Sequence, residues 1–454
     1  MTIQASRIQD LNQLPPSSGR FVLYWMQQAQ RAEYNHAVEY AIEQANIQGR
    51  PILVLFALTD DYPEANLRHY TFMLEGLKET KQQLASRGIQ MVVRYGDPVQ
   101  VVLDLGRNAS MIVCDRGYLR HQRGWRQKIA KKAACAVVQV ESDAIVPIQE
   151  VSDKAEYAAY TIRRKINRQL DMYLKDLVPR IVSHSSLSIP LKGLELDNIQ
   201  TVLDQLDIDR SVPAVPKFFK GGTSQAKDRF NYFVENCFER YVAHRNQPKT
   251  LDVSFMSPYL HFGQVSSLYL ALKIKSCQDS LEEAKASYLE ELIVRRELAM
   301  NFVYFNPAYG SLECLPNWAR KTLDAHKKDT RTFVYSKSEL ENSQTHDIYW
   351  NAAMREMKVS GFMHNYMRMY WGKKILEWSE TPEKAWETLL AINNTYFLDG
   401  RDPNSHAGVG WIFGLHDRAW FERPVFGKVR YMAASGLERK CDIKGYVSRI
   451  NQMI

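Results

Sequence analysis

The hydrophobic pattern of this chain changes its period near residue 220, and this change constrains the fold more than any other feature. Before it, short runs of nearly continuous apolar residues alternate with longer segments of helical period. Apolar runs of this kind are typical of strands in a sheet that is covered on both faces. After it, apolar residues recur mainly at helical spacing. The sequence therefore predicts an α/β region followed by an all-α region.

The α/β region is predicted from five apolar runs, with helical segments such as residues 34–48 and 70–87 between them. The runs are FVLYW (21–25), PILVLFAL (51–58), IQMVVRY (89–95), MIVCD (111–115) and AVVQVES (136–142). Strands that alternate with helices predict a doubly wound, mostly parallel sheet. The pattern GxGxxG does not follow the first strand, so a dinucleotide in the usual place of such a domain is not expected.

The predicted division of the chain is an α/β domain over residues 1–175, a connector over 176–225 and a helical domain over 226–454. Proline and glycine punctuate the connector, and a loop this long is uncommon inside one compact unit. Six longer segments of the second domain have helical period: 226–241, 264–274, 281–302, 347–357, 365–377 and 383–392.

The composition excludes several classes of protein. With 45% hydrophobic and 24% charged residues, the chain has the balance of an ordinary globular protein. Its six cysteines form no CxxC pair, so we expect reduced thiols and no metal site. We predict neither a signal peptide nor a membrane span, and a cytoplasmic location. The net charge of +8 is compatible with a polyanionic partner but is too small to establish one.

Two polar stretches of the helical half each have two interpretations. In and before MSPYLHFGQVS (256–266), one interpretation is that Ser254 and Ser257 only cap the following helix. The other is that this helix start also presents hydroxyls and amides to a phosphate. In EELIVRREL (290–298), Glu291, Arg295 and Arg296 are either a solvated face held by salt bridges, the usual explanation of such a run, or part of a functional site. The residues alone do not separate these alternatives.

Tryptophan is the unusual component of the composition, with nine residues. Trp371 and Trp378 are seven positions apart, which places both on one face of a helix. Such a row is typical of core packing, although indole also suits stacking and redox chemistry. The irregular stretch 398–423 combines Gly, Asp, Arg and Trp, and polar segments between helices often carry functional sites.

Nine segments, taken in order along the chain, resemble the DNA photolyases, and within them the class II enzymes that split cyclobutane pyrimidine dimers. The segments are FVLYWMQQAQRAEYNHA, LRHYTFMLEGL, EYAAYTIRRKI, MSPYLHFGQVS, EELIVRREL, YWNAAMREM, MHNYMRMYWGKKILEW, NTYFLDGRDPN and HDRAWFERPVFGKVRYM. The resemblance implies an N-terminal α/β domain and a C-terminal flavin domain, the arrangement that the hydrophobic period predicts independently. It also implies light-driven repair, in which excited reduced FAD gives an electron to a flipped-out dimer and later receives it back.

The resemblance implies a set of flavin-binding residues. Arg368 and Asp399 would form an ion pair beside the flavin ring, and Asn393 would lie near N5, where an amide can donate or accept a hydrogen bond. Asp402 and Asn404 are further candidates for this pocket. The residues expected on the diphosphate side are Tyr241, Ser254, Phe255, Met256, Ser257, Pro258 and Gln264.

The resemblance also implies how lesion-containing DNA is bound. Glu291 would hydrogen-bond the dimer, while Met369 and Trp411 would line its pocket. The residues expected at the DNA surface are Arg245 and Arg418, as phosphate contacts, and Trp420, as a wedge in the gap left by the flipped dimer.

For the tryptophan row, the resemblance implies an electron relay through Trp371, Trp350 and Trp378 that restores reduced flavin under light. A second chromophore of the 8-hydroxy-deazaflavin type would occupy the α/β domain, where no contacting residue is predicted. We expect a monomer that acts on DNA containing pyrimidine dimers. Two alternatives stay open: a cryptochrome-type photoreceptor, which is disfavoured because the chain ends at Ile454 soon after the last matching segment, and a flavin-free DNA-binding relative.

Overall fold

The computed structural model describes residues 3–453, so Met1, Thr2 and Ile454 at the outer ends of the predicted domains lie outside the described residues. The first region is a six-stranded sheet in the order β1-β6-β5-β2-β3-β4. Its strands are β1 Ile8–Asp10, β2 Phe21–Met26, β3 Ile52–Leu58, β4 Gln90–Tyr95, β5 Ala109–Asp115 and β6 Ala136–Val140. Strands β2 to β6 pair in parallel, which confirms the predicted doubly wound sheet. The sequence did not predict β1, which is antiparallel to β6.

Each predicted strand is apolar throughout because both faces of the sheet are covered. In β2, Val22 and Tyr24 pack in one apolar cluster, whereas Leu23 and Trp25 pack in another on the opposite face. Between the strands lie the helices α1 His36–Ile47, α2 Leu67–Ser86, α3 Pro98–Gly106 and α4 Arg120–Lys132. The Asn35 side chain caps α1 by accepting hydrogen bonds from the backbone N–H groups of Ala37 and Val38.

The predicted connector runs along the exposed edge of the sheet before it reaches the helical region. The Leu194 N–H donates to the Val93 carbonyl at 2.7 Å, and the Ser186 hydroxyl accepts from the Gln90 N–H at 2.7 Å. A short helix within it, α8 Ile199–Asp204, packs against α2. These contacts cover the β4 edge, whose backbone groups would otherwise be open to pairing with another chain.

The second region is helical, as predicted. In chain order, the remaining helices are α5 Ile148–Val151, α6 Ala159–Asn167, α7 Leu170–Tyr173, α9 Thr223–Asn236, α10 Tyr241–His244, α11 Ser257–His261, α12 Ser267–Lys275, α13 Glu282–Leu289, α14 Arg296–Phe305, α15 Asn317–Ala325, α16 Lys337–Glu341, α17 Ile348–Ser360, α18 Asn365–Trp378, α19 Pro382–Tyr396, α20 Pro403–Ile412, α21 Ala434–Lys440 and α22 Ile443–Met453. Within residues 3–453, no helix has the length and apolar character that a membrane span requires.

Two of the predicted helices differ in detail. The predicted helix 226–241 ends at Asn236, and α10 begins only after a 3₁₀ turn. The predicted helix 281–302 is interrupted by a π-helical segment, Glu290–Arg295, between α13 and α14. The π segment is only six residues long, too short for its change of period to show in the hydrophobic pattern of the sequence.

Helix α6 precedes the connector but packs in the helical core. Ala159, Ile162 and Ile166 belong to the same buried cluster as Phe230 and Tyr288 of the helical region. The predicted domain bounds stay a prediction, and this helix links the two regions through apolar contacts.

Candidate active site

A cavity of about 530 Å³, here called the central cavity, opens among the helices of the second region. Its walls come from the loop before α11, the π segment, α18, α19 and α20. This volume is in the range of pockets that bind organic cofactors. The predicted residues that line it are Tyr241, Arg245, Ser254, Phe255, Met256, Ser257, Glu291, Arg368, Met369, Trp371, Asn393, Asp399, Asp402, Asn404 and Trp411.

One wall of the central cavity contains a bidentate ion pair. Arg368 of α18 donates from Nη1 and Nη2 to the two carboxylate oxygens of Asp399, each at 3.0 Å. The Arg368 Nε–H donates to the Met363 carbonyl at 2.9 Å, and the Phe397 ring lies 4.0 Å from the guanidinium carbon. The guanidinium is therefore fixed by three hydrogen bonds and one aromatic ring, which give it a defined plane in the wall of the cavity.

Asn393, near the end of α19, has a side chain that is oriented by its neighbours. Its Nδ2–H donates to Asn394 Oδ1 at 3.0 Å, and the same oxygen accepts from the Arg401 N–H at 2.9 Å. Because the amide nitrogen is engaged by Asn394, the side chain of Asn393 presents a fixed amide to the central cavity, which it lines.

Asp402 holds the start of α20 and bears a negative charge against His261. Its carboxylate accepts from the Asn404 N–H at 2.8 Å, and its other oxygen is 3.1 Å from His261 Nδ1. Burial raises the pKa of Asp402, but the hydrogen bond and charge of His261, together with the charge of Arg296, outweigh it and lower the pKa to about 2. The carboxylate is therefore ionised over the physiological range.

Glu291 also lines the central cavity. Arg245 Nη2 donates to Glu291 Oε1 at 2.5 Å and Nη1 donates to the Ser287 hydroxyl. Glu291 lies in the π segment, where the local change of helical period sets its direction. The interpretation of the charged run as a solvated face was wrong for Arg296, which is buried and donates to Asp143 at 2.6 Å.

The three predicted relay tryptophans lie in a buried row that starts at the central cavity. Trp371 lines the cavity, and its carbonyl accepts from Trp350 Nε1–H at 3.0 Å. The Trp350 and Trp378 rings are 5.7 Å apart between centroids, at 66°. Helix α17 supplies Trp350 and α18 supplies the other two, so adjacent helices build the row.

The rim of the central cavity is an alternating stack of tryptophan and arginine. The Arg430 guanidinium carbon lies 4.1 Å from the Trp420 ring centroid and 5.6 Å from that of Trp411. Arg418 lies 5.2 Å from Trp420 on the same rim, and Asp417 holds Arg430 through two hydrogen bonds of 2.8 and 3.0 Å. Trp420 and Arg418 thus extend outward from the cavity wall that Trp411 forms.

The similarity of this chain to known proteins establishes its family. A protein of Methanothermobacter thermautotrophicus named deoxyribodipyrimidine photo-lyase is 48% identical over 100% of this chain and 99% of its own length. The chain belongs to the DNA photolyase family. The family model for DNA photolyase matches residues 22–182, and an Arabidopsis thaliana photo-lyase is 37% identical over 95% of this chain and 89% of its own.

Solved photolyase structures share the fold. A class III photolyase of Agrobacterium tumefaciens superposes with a TM-score of 0.75 at 18% identity, over 96% of this chain and 87% of that one. An archaeal photolyase of Sulfolobus tokodaii, described with two FAD molecules, superposes with a TM-score of 0.69 at 15% identity, over 94% of this chain and 89% of that one. At these identities the likeness establishes the fold alone.

Several predicted photolyase site residues lie outside the central cavity. Gln264 is fully buried beside α2, where its side chain accepts from the Gly222 N–H at 2.8 Å and donates to the Phe72 carbonyl at 3.1 Å. Both ends of its amide are occupied and it does not line the central cavity, so the structure gives no contact for it there, and its role in flavin binding stays a prediction. Pro258, Trp350, Trp378, Arg418 and Trp420 are also absent from the lining. The proposed capping role was wrong, because neither Ser254 nor Ser257 caps α11, whose N-cap is Met256.

Two lining or supporting residues were missed by the sequence reasoning. His261 lines the central cavity, and its pairing with Asp402 joins positions far apart in sequence, which no local pattern indicates. Lys373 is completely buried below Trp411, with Nζ 4.7 Å from that ring centroid and 2.7 Å from the Ile412 carbonyl. Its only sequence signal is a lysine pair within an otherwise apolar turn of α18.

A second cavity, here called the N-terminal cavity, lies at the carboxyl ends of β2 and β3 and has a volume of about 90 Å³. Carboxyl ends near the switch point of a doubly wound sheet are where such folds bind ligands. Asp115, at the end of β5, accepts from the backbone N–H groups of Gln27 and Gln28, each at 2.9 Å, and so holds the loop that lines this cavity. His261 lines both cavities.

Proposed function

We propose that this photolyase is a class II enzyme that repairs cyclobutane pyrimidine dimers in DNA with blue light and FAD. The observation that carries the proposal is the central cavity. It is lined by the Arg368–Asp399 pair and Asn393 and by Glu291 from a different element. Trp371, the first member of the buried row, also lines it. The nine class II segments in sequence order support the class.

The residues of the central cavity fit a large polar cofactor. Trp371 Nε1 and His364 Nε2 line it, are buried and have no hydrogen-bond partner among the described residues. Buried donors without partners are costly, so a bound group that satisfies them stabilises the site. When bound, FAD supplies the light absorption and the one-electron chemistry.

The chain's own residues would position that cofactor and tune it electrostatically. The planar Arg368–Asp399 ion pair has no net charge and would give a flat surface against which a ring system can pack. Asn393, held by Asn394, would offer an oriented amide to a ring nitrogen that gains or loses a proton. Asp402 stays ionised, so it can accept hydrogen bonds from sugar or amine groups in addition to its contact with His261.

The dimer would bind on the opposite side of the cavity. Glu291, held by Arg245, would accept a hydrogen bond from a pyrimidine N–H group, and Met369 and Trp411 would give the apolar surface that an extruded, unstacked pair of bases requires. Fixed polar groups around a developing negative charge stabilise it without reorganisation.

The rim would hold the DNA around the extruded dimer. Trp420, exposed at 36%, would fill the gap left in the duplex, with Arg418 and Arg430 against phosphates or the opposite bases. Phosphate contacts read no sequence, so the lesion would supply specificity and affinity would fall with added salt.

The buried row Trp371, Trp350 and Trp378 would carry electrons toward the central cavity and restore the reduced state of the cofactor. Indole is readily oxidised, and the 5.7 Å spacing of the last two rings brings them into contact. The row combines core packing with relay, since each ring is also part of the helical core.

For the antenna, we propose a ligand of the 8-hydroxy-deazaflavin type at the N-terminal cavity, whose volume of about 90 Å³ admits only part of such a ring system, so the cavity would have to widen on binding. Aromatic side chains including Trp25, Tyr62 and Trp125 line this cavity, as a planar chromophore requires. Arg401 Nε and Gln27 Nε2, also in its lining, are buried and lack partners among the described residues. A cytoplasmic monomer stays a prediction from the sequence.

The test is a repair assay on DNA that contains cyclobutane dimers, under blue light, with purified flavin-loaded protein. We expect loss of dimers in light and none in the dark. Intact dimers in the light, from a protein whose absorption spectrum shows reduced flavin, would favour the cryptochrome-type alternative. A spectrum without flavin bands after reconstitution with FAD would favour a flavin-free DNA-binding relative.

A further inference from the structure

A third cavity lies at the outer end of the buried tryptophan row. It has a volume of about 250 Å³, and we call it the relay-end cavity. It is bounded by residues 330–333, by the end of α18 and by residues 423–426, and Trp378 and Tyr431 form part of its wall. Trp371 lines the central cavity and Trp378 lines this one, so the row of three indoles joins two cavities.

The charges of the relay-end cavity favour an anion. Arg331 lines it, and two of its guanidinium nitrogens, Nε and Nη2, are buried without a hydrogen-bond partner among the described residues. Its third nitrogen donates to the Asp329 carbonyl at 2.9 Å, which orients the group. Arg331 is only partly buried, but its two buried N–H-bearing nitrogens without a partner would gain from an anionic ligand, since leaving them unpaired costs free energy.

The other charged groups of the lining leave this preference in place. Arg423 adds a second cation, with its guanidinium carbon 5.1 Å from the Tyr431 ring centroid. Glu377 is the one lining carboxylate within residues 3–453, and Lys374 neutralises it at 2.6 Å. The Asp329 carboxylate lies just outside the lining, where it pairs with His326 and accepts from the Val425 N–H. The lining itself therefore has a net positive charge beside an oxidisable indole.

We propose that the relay-end cavity binds a small anionic one-electron donor of the ene-diolate class and holds it against Trp378. The inference rests on the proposed relay, whose outermost member Trp378 must be reduced after each photoreduction. A cavity that selects the donor by charge makes this last electron transfer a binding event rather than a random collision.

The electron step is balanced within the donor and Trp378. After Trp378 has passed an electron inward, its indole is a radical cation. One electron moves from the ene-diolate monoanion to that radical cation and restores neutral Trp378. The donor becomes a neutral radical, which loses its remaining O–H proton to water and leaves as a radical anion.

The test follows the Trp378 radical after a laser flash, with the oxidised flavin-loaded protein and ascorbate as the donor. We expect the decay rate of the radical to rise with ascorbate concentration and then saturate, because the donor binds before it reacts. Arg331→Gln should lower the rate at low ascorbate by about threefold to tenfold, a charge effect of the size that steering produces. Glu377→Gln should raise it.

The opposite signs of these two changes exclude a general defect in folding. A neutral donor, hydroquinone, should reduce all variants equally, and Lys128→Gln, which removes an exposed cation of α4, should match the unmodified protein. Repair by chemically reduced enzyme should be unchanged in Arg331→Gln. A rate that is linear in ascorbate and equal in both cavity variants would overturn the inference.

A second readout needs no light-driven chemistry. The fluorescence of Trp378 is obtained in the dark as the difference between a protein and its Trp378→Phe variant. Iodide, an anion, should quench this fluorescence less well in Arg331→Gln than in the unmodified protein. Neutral acrylamide should quench it equally in both proteins. Equal iodide quenching in both proteins would contradict anion binding at this site. If instead Trp378→Phe left the flash-induced radical yield and its decay unchanged, the relay itself would fail, which is an outcome distinct from failure of the cavity.

Discussion

Replacing Trp350 by phenylalanine separates relay from core packing, because both roles predict a loss of stability but only one predicts a loss of electron transfer. Trp350 is fully buried, and its Nε1–H donates to the Trp371 carbonyl. Losing this hydrogen bond costs about 1 kcal/mol. The smaller ring also leaves a gap, which costs about 1–2 kcal/mol. We therefore expect the free energy of unfolding to fall by about 2–3 kcal/mol.

Trp386 offers a matched control in the same helical core. It is 4% exposed, its Nε1–H donates to the Gly310 carbonyl at 2.9 Å, and its ring lies 5.2 Å from that of Phe413. Trp386→Phe should therefore cost a similar free energy of unfolding. It lies outside the proposed row, so it should leave electron transfer unchanged.

The assay compares flavin photoreduction in the two variants with the repair rate of enzyme reduced chemically beforehand. We expect Trp350→Phe to lose nearly all photoreduction and keep most repair, and Trp386→Phe to keep both. Urea unfolding of each variant reports the stability change independently. Equal photoreduction in the two variants at equal loss of stability would refute the relay and leave Trp350 as a core residue.

Three further predictions concern the site and its rim. Asp399→Asn leaves the Arg368 guanidinium without its charge partner, and we expect FAD retention, measured by ultrafiltration, to weaken at least tenfold. Burial lowers the pKa of Lys373 to about 7. Between pH 7 and the ordinary pKa of lysine, the folded state therefore binds fewer protons than the unfolded state. The free energy of unfolding should rise with pH over this range. Lys373→Met should flatten this rise in urea unfolding at pH 6.5 and 9, and an unchanged slope would contradict it. Trp420→Ala should weaken binding to dimer-containing duplex about tenfold in a fluorescence titration and leave the affinity for undamaged DNA unchanged, with Lys128→Gln as the control. Equal weakening for both DNAs would argue against a wedge.

The doubly wound sheet was readable from the sequence because its strands are covered on both faces. Leu23 and Val22 point to opposite clusters, yet both must be apolar, so the strand appears as a continuous apolar run. Strand β1 was missed because Ile8–Asp10 is three residues long and only partly buried, too short for any periodic signal. Local pattern therefore predicted the sheet but not its antiparallel edge.

The candidate site was readable mainly through resemblance. Arg368 and Asp399 are 31 positions apart, and no periodicity pairs them, although the structure forms the predicted ion pair. Gln264 also lies in a matching segment, but the segment alone does not indicate that Gly222 and α2 approach closely enough to occupy its amide. The π segment and the stack of Arg430 on Trp420 depend on three-dimensional packing and have no counterpart in the order of residues.

Helix α6 makes the helical region dependent on chain that precedes the connector. Its apolar residues complete the cluster that contains Phe230 and Tyr288, and Arg163 on the same helix makes two hydrogen bonds to Glu290 in the π segment, at 2.7 and 2.8 Å. A fragment that begins after the connector would expose that cluster and lose the support of the segment that carries Glu291. A fragment designed to bind flavin must therefore begin upstream of α6, at a point that the boundary suggested by the connector would miss.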